Sequence, residues 1–386
     1  MTDPSPNGGR THGTRWTLIQ YFLRLGAIGF GGPIALVGYM QRDLVERLGW
    51  IDATEYRDAL AFAQVAPGPL AAQVAIYIGW LRGRVLGATM VGIAFVLPSF
   101  VMVLALSWLY VRYGGLPWMQ GAFYGIGAAV IAIIVRSTVK LTKLTLGVDR
   151  LLWAIAIVNA FATAWFAAEV VSMILAGGVL VMAVRAPARW ISGRTVALLA
   201  PQLPALALPA VASVPLLVTI LGYFTKAGLI VFGSGLAIIP FLHGGVVQQY
   251  HWLTEQQFVD AIAVSMITPG PVVITVAFMG YLVAGTLGAL AAAVGIFFPV
   301  WFITVVFAPH YHRVATSRTL RAFVAGVTAG AAGAIAGAAF IIGRRAVHDG
   351  ITIAIALTTF LIVSRVKRVP EPLLILIAGV VGVLFF

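Results

Sequence analysis

Two glycine and proline breaks, each present twice, are the features of this chain best suited to handling an anion. Phe30-Gly31-Gly32-Pro33 interrupts the first apolar segment, and Pro67-Gly68-Pro69 interrupts the next. A helix that starts at such a break exposes free amide N–H groups, and its dipole adds positive potential there. Proline in a first turn sacrifices no helical hydrogen bond, so Pro33 and Pro69 are placed to begin such helices. The same pieces return as Phe232-Gly233-Ser234-Gly235 and Pro269-Gly270-Pro271. Glycine and proline also permit close packing or kinks between helices, but duplication of both breaks at one spacing favours the anion reading.

Charged and polar residues cluster around these breaks. Arg24 lies two residues before Gly26, and Lys226 two before Gly228. A cation at the same depth in both segments is costly in hydrocarbon and therefore points to function, the alternative being a side chain that snorkels to an interface. Arginine can fork onto an oxyanion and lysine supplies a point charge, so together they would balance a dianion. Asp58 and Asp260 each precede a Pro-Gly-Pro by nine residues. They are expected either to carry protons, if desolvated, or to stabilise a helix start at the surface. Gln64, Gln73, Ser265, Thr268 and Thr275 flank the breaks, available to an oxyanion or to backbone groups that the breaks set free. No His pair has helical metal-ligand spacing and there is no cysteine, so neither a metal nor any cofactor is expected.

The elements that must hold these residues are membrane helices. Of 386 residues, 61% are hydrophobic and 10% charged, far below the roughly 25% charge of a soluble domain. The net charge of +13 comes from Lys and Arg scattered between apolar runs, which reads as cytoplasmic loops rather than a nucleic-acid surface. At an offset of 202, residues 22–75 align without a gap on 224–277 with 16 identities, and Asp58 and Asp260 are read as the only acidic residues kept in both halves. The expected organisation is a disordered N-terminus 1–15 without a signal peptide, a first repeat 16–184, a linker 185–212 and a second repeat 213–386. Four apolar spans are expected in each repeat, near 85–110, 118–135, 151–168 and 170–184, then 286–308, 322–342, 350–364 and 372–386.

Loop charge gives orientation. In the first repeat, nine Lys and Arg fall in loops on one side, from Arg82 to Arg194, against Arg112 alone on the other; in the second repeat the bias reverses. The positive-inside rule then makes the nine-charge side cytoplasmic and the repeats inverted. Inversion in turn predicts an odd number of crossings in each opening region, such as one broken span plus a re-entrant hairpin. The fold class is thus an all-α polytopic membrane protein of two homologous, inverted repeats, with broken helices or re-entrant hairpins meeting at the midplane, where such transporters bind substrate.

The combination of Phe30-Gly31-Gly32-Pro33, a charged stretch ending in Gly49-Trp50 and Ala66-Pro67-Gly68-Pro69, all repeated, resembles the two-domain form of the chromate transporter family, and the resemblance runs from residue 16 to the end of the chain. It implies export of chromate across the inner (plasma) membrane as a multi-pass protein. The second repeat departs from the pattern, because Phe232-Gly233-Ser234-Gly235 has no proline. The residues themselves agree on a secondary transporter of a small oxyanion, not an enzyme, with protons as the expected coupling ion and the lipid bilayer as its surroundings. Sulfate or another tetrahedral oxyanion remains an alternative substrate. A membrane enzyme acting on lipid phosphate is a remote one, and the organisation leaves room for a homodimer.

The charge bias makes a prediction for this cysteine-free chain. A single cysteine placed in the loop 136–150 should resist an impermeant thiol reagent added outside cells, whereas one in the loop 343–349 should react. Equal labelling of the two would sink the inverted arrangement.

Overall fold

The computed structural model of the protein describes residues 14–30, 32–166, 171–186, 216–233, 235–310, 317–366 and 369–386. Almost all of the expected disordered N-terminus and linker lies outside these residues. The first repeat contains helices α1 (Arg15–Ile28), α2 (Gly32–Met40, continued by a π-helical turn Gln41–Arg47), α3 (Ala53–Val65), α4 (Leu70–Tyr113), α5 (Pro117–Leu146), α6 (Arg150–Phe166) and α7 (Val171–Arg185). The second contains α8 (Leu216–Ile230), α9 (Ile239–Leu242), α10 (Glu255–Ile267), α11 (Thr275–Phe307), α12 (Arg318–Ala346), α13 (Gly350–Arg365) and α14 (Glu371–Phe385). Among the described residues, four stretches, Leu70–Tyr113, Pro117–Lys143, Val272–His310 and Arg318–Arg344, are long and apolar enough to cross a membrane; the remaining apolar helices are shorter. The chain is an all-α polytopic membrane protein built as a repeat.

The first opening region doubles back on itself. α1, at 14 residues, spans about 21 Å, too short for a bilayer core of about 30 Å. The chain then turns back: the Tyr21 hydroxyl donates to the Tyr39 carbonyl at 3.4 Å and the Tyr56 hydroxyl to the Val37 carbonyl at 2.6 Å. A polar clasp fixes where it returns. Arg82 donates to the Trp50 carbonyl at 2.6 Å and to Glu55 at 2.8 Å, while Arg15 donates to the Arg82 carbonyl at 3.4 Å. Residues 15, 50, 55 and 82 therefore share one face, and 15–82 forms two hairpins that enter and come back.

α4 itself folds over at Gly83–Arg84, where Arg84 takes a φ of +52°. Its arms pack tightly: Gly92 lies against Ile76, and the backbones of Gly79 and Gly87 touch. In one straight helix Ile76 and Gly92 would be about 24 Å apart. α11 does the same at Ala284–Gly285, with Gly280 against Gly288. The second arms of α4 and α11 pack on each other, with Trp301 donating to Thr89 at 2.9 Å and Phe100 sharing a groove with Leu290. Residues early in one arm meet residues late in the other, so these repeat-related arms run in opposite directions.

The two repeats also exchange backbone hydrogen bonds at their breaks. Gly68 donates to the Val231 carbonyl at 2.6 Å, and Gly270 donates to the Gly29 carbonyl at 2.8 Å. Gly68–Pro69 and Phe232–Gly233 thereby form a two-residue parallel bridge. Both donors need to be glycine, since Gly68 has φ +138° and Gly270 φ +99°, and a Cβ on Gly270 would strike Ser99 and one on Gly68 would meet Gln73 at 2.8 Å. A further repeat-related acidic pair emerges where the offset has slipped to 200. Asp149 and Asp349 cap α6 and α13, each accepting backbone N–H bonds at 2.8–3.3 Å. The Thr352 amide and the Tyr124 hydroxyl together hold the Asp349 carboxyl down at about 2.

Gly270→Ala should lower the detergent melting temperature more than Gly222→Ala, because the first combines backbone strain of about 1–3 kcal/mol with the Ser99 collision, whereas a Cβ at Gly222 meets nothing within 4 Å. Indistinguishable melting of the two variants would contradict the crossed hydrogen bonds.

Candidate functional site

Two connected cavities open beside the first repeat's break. The larger, about 800 Å3, is lined by Arg24, Ile28, Tyr39, Arg42, Asp43 and Arg47 among others. The smaller, about 460 Å3, reaches the breaks themselves through Gly32, Pro33, Leu70, Gly270 and Val272. Gly29, Phe30, Glu371 and Pro372 line both. Arg42 and Arg47 lie just ahead of Trp50 and the clasp, so the larger cavity opens at the face marked by Arg82.

Local sequence explains the shape of the inner cavity. Gly32, at φ +73°, turns the chain so that α2 starts at the break, with Pro33 as its second residue. Pro69 and Pro271 serve as N-caps, one to α4 and the other to the short 3-10 turn leading into α11. Pro69 thus sits one position ahead of the first turn in which it was expected. Gly32, Leu70 and Val272, the first residues of three helical segments, all line the inner cavity. Helix starts carry unpaired N–H groups and partial positive charge, so their convergence favours an anion.

Side-chain charge reinforces this. Arg42 and Arg47 are both held by Asp43, at 3.1 and 3.5 Å. Arg24 lines the outer cavity and Arg136 and Lys140 the inner one, and none of the three has a hydrogen bond or ion pair among the described residues. Arg136 and Lys140 were placed in a loop by the sequence reading. α5 instead continues three turns past the apolar run that ends at 135, putting the two cations one helical turn apart. Their i, i+4 spacing, with Val139, Leu141 and Leu146 continuing the apolar pattern, was the available signal.

Of the residues singled out from sequence, Arg24, Phe30, Gly32, Pro33, Gln64, Ser265, Thr268 and Gly270 line these cavities. Of the other described residues, several stabilise the breaks instead. Gln73 is fully buried and donates to the Pro67 carbonyl at 2.6 Å. Thr275 donates to the Ala261 carbonyl at 2.8 Å, while Ser265 and Thr268 donate to carbonyls of their own helix. In this conformation these hydroxyl protons serve the backbone, which leaves the exposed Gln64 amide as a free donor. Gly68, Pro69, Pro269, Pro271 and Gly235 are buried behind the lining. Gly233 takes part only through its backbone bridge, and Gly31 and Ser234 lie outside the described residues. Lys226 is not beside its repeat partner Arg24, its ammonium standing over the Phe241 ring at 5.6 Å.

The two aspartates also part company. Asp58 is half-buried on α3 with no hydrogen bond or ion pair among the described residues. Asp260 is only 2% exposed and accepts from the Tyr110 hydroxyl at 2.7 Å and the Gln256 amide at 2.9 Å.

The cavity's opening can be tested by Lys140→Cys. This side chain should be modified by a charged thiol reagent applied at the Arg82 face and not at the opposite face, with added oxyanion slowing the reaction. Modification from the opposite face alone would show that the cavity opens the other way.

A family model described as chromate transporter matches residues 16–182 and again 218–383. A chromate transport protein of Cupriavidus metallidurans is 53% identical over 96% of this chain and 92% of its own length. A probable chromate transport protein of Synechococcus elongatus is 52% identical over 96% and 95%. One from Pseudomonas aeruginosa is 35% identical over 82% and 78%. No solved structure matches. Two matched repeats and full-length similarity at this level place the chain in the chromate transporter family.

Proposed function

We propose that this protein is a secondary transporter that exports chromate, and that the connected cavities are its substrate site in an inward-open state. The observation that carries the reading is the set of unpaired cations, Arg24, Arg136 and Lys140, facing a space lined by three helix starts. A dianion entering the membrane needs fixed positive charge to offset several kcal/mol of lost hydration. Helix ends contribute about half a charge each, and side chains must supply the rest.

Direction follows from charge bias. The cavity opens at the face bearing Arg82 and Arg84, which the positive-inside rule makes cytoplasmic, so substrate would be captured from the cytoplasm of the cell at its inner membrane. The antiparallel second arms of α4 and α11 support an inverted relation between the repeats. α12, whose Thr328 lines the inner cavity, lies close against α6 and α7 through Gly326, Gly330, Gly333 and Gly337, small residues of the kind that let helices approach closely. Proton coupling is assigned to Asp260 rather than Asp58. A carboxylate buried without a cation partner is the one whose charge the protein disfavours, so it can take up a proton. Chromate is preferred over sulfate through the named relatives; the cavity's charges would suit either tetrahedral dianion.

Proteoliposomes loaded with chromate or sulfate and given an imposed pH gradient test this reading. Chromate efflux should be driven by the proton gradient, and Arg24→Gln should weaken apparent affinity about tenfold, given 1.5–3 kcal/mol for a hydrogen bond to a charged group. Lys226→Gln should change affinity by less than about twofold, and Asp260→Asn should flatten the pH dependence while leaving anion exchange intact. Sulfate outcompeting chromate would reassign the substrate, and full affinity in Arg24→Gln would remove that residue from the site.

A further inference from the structure

Among the described residues, Glu371 is the carboxylate lining these cavities that has no ion pair or side-chain hydrogen bond. Asp43, the other acidic residue lining them, is engaged by Arg42, Arg47 and Tyr21. Glu371 opens α14 between Pro370 and Pro372 and lines both cavities, so it sits where they join. Its position is set by close packing of α14 against α5. Gly382 lies on Gly121, Ala378 on Gly125 and Gly379 on Ile126. The two helices run antiparallel, and extending that register towards the start of α14 brings Glu371 beside the turn of α5 that leads into Arg136. Arg136 and Lys140 line the inner cavity together with Glu371, yet neither forms an ion pair with it among the described residues.

We infer that Glu371 is a tethered counter-ion that stands in for the substrate oxyanion at Arg136 and Lys140 when the cavity is empty and gives way when the oxyanion binds. The assignment rests on the oxyanion reading above. Without a substrate, unpaired cations line the two cavities, and closing the protein around them would bury uncompensated charge, which is prohibitive. A carboxylate anchored at a helix start can satisfy two of them during closure. A rigid ion pair at 2.8 Å would serve badly, since the substrate would have to break it. Placement nearby without direct contact keeps the cations available. Competition between a tethered and a diffusing anion for the same charges also means that each lowers the other's occupancy by an equal factor.

Glu371→Gln tests the inference because it predicts a gain that damage to the structure would not produce. Isothermal titration of the purified full-length protein with sulfate, and dialysis with chromate, should show about three- to tenfold tighter binding in Glu371→Gln than in the native protein, the rise expected when a nearby competing charge is removed. Arg136→Gln and Lys140→Gln should each weaken binding. In proteoliposomes, Glu371→Gln should retain anion-for-anion exchange and lose most net efflux, which requires the empty protein to reorient, and Glu371→Asp should restore part of that net flux. Unchanged or weaker binding in a Glu371→Gln protein that melts like the native one overturns the counter-ion role. If the native protein binds neither chromate nor sulfate, the oxyanion reading falls and this inference with it. If native binding is intact and only the Glu371 variant fails to gain affinity, the site stands and the counter-ion alone is refuted.

Discussion

The crossed pair of backbone hydrogen bonds, Gly68 to Val231 and Gly270 to Gly29, is the interaction on which the rest of the architecture depends. Each repeat breaks its helices in the interior of the protein, where an unpaired amide or carbonyl costs several kcal/mol. Neither repeat satisfies its own break. The donor glycine of one reaches the acceptor carbonyl of the other, and the relation is reciprocal because the residues correspond at an offset of 202. This explains why both Pro-Gly-Pro segments keep their glycine. It also explains why Gly26 and Gly228 press on α4 and α11 beside Pro98 and Pro299, since the crossed bonds form only if the surrounding backbones approach within van der Waals contact.

Backbone symmetry of this kind coexists with side-chain asymmetry, and the asymmetry is where function resides. Ser99 supports the first break by donating to the Gly26 carbonyl at 3.2 Å, whereas its counterpart in the second repeat is Val300, which can donate nothing. Arg136 and Lys140 correspond to Gly337 and Ile341. A cavity lined by cations of α5 therefore stands next to a close-packed seam of glycine and alanine on α12. The hydrogen-bonded frame is common to both repeats, and the charge lining the cavities is not.

The frame was legible in the sequence and the cavity was only partly so. Glycine at φ +138° or +99° has few substitutes, so the breaks and their duplication stand out from residue identity alone, as does the membrane class from composition. The number of hairpins did not, because a helix of 14 residues reads the same whether it goes on through the bilayer or turns back. The Arg82, Trp50 and Glu55 clasp that decides the matter is a contact between segments distant in sequence. Arg136 and Lys140 follow an apolar run and look like the start of a loop. Their helical continuation is meaningful only because the first repeat's break hydrates that end of α5. Asp149 and Asp349 were hidden by two further residues of slippage in the repeat offset. Arg24 and Lys226 align, but alignment does not reveal that one lines a cavity and the other stands over the Phe241 ring.

The reciprocal hydrogen bonds also constrain how the protein is made. Gly68 leaves the ribosome well before its acceptor, and at about 5–20 residues per second the Val231 carbonyl appears on the order of ten seconds later. Throughout that interval the first repeat is inserted with an unfinished core, its Pro-Gly-Pro amide lacking the partner it will have in the mature protein. Water admitted by the neighbouring cavity is the natural temporary partner. The cavity beside the break would then also shelter the nascent chain, and variants that dry it out would be expected to fail in biogenesis before they fail in transport.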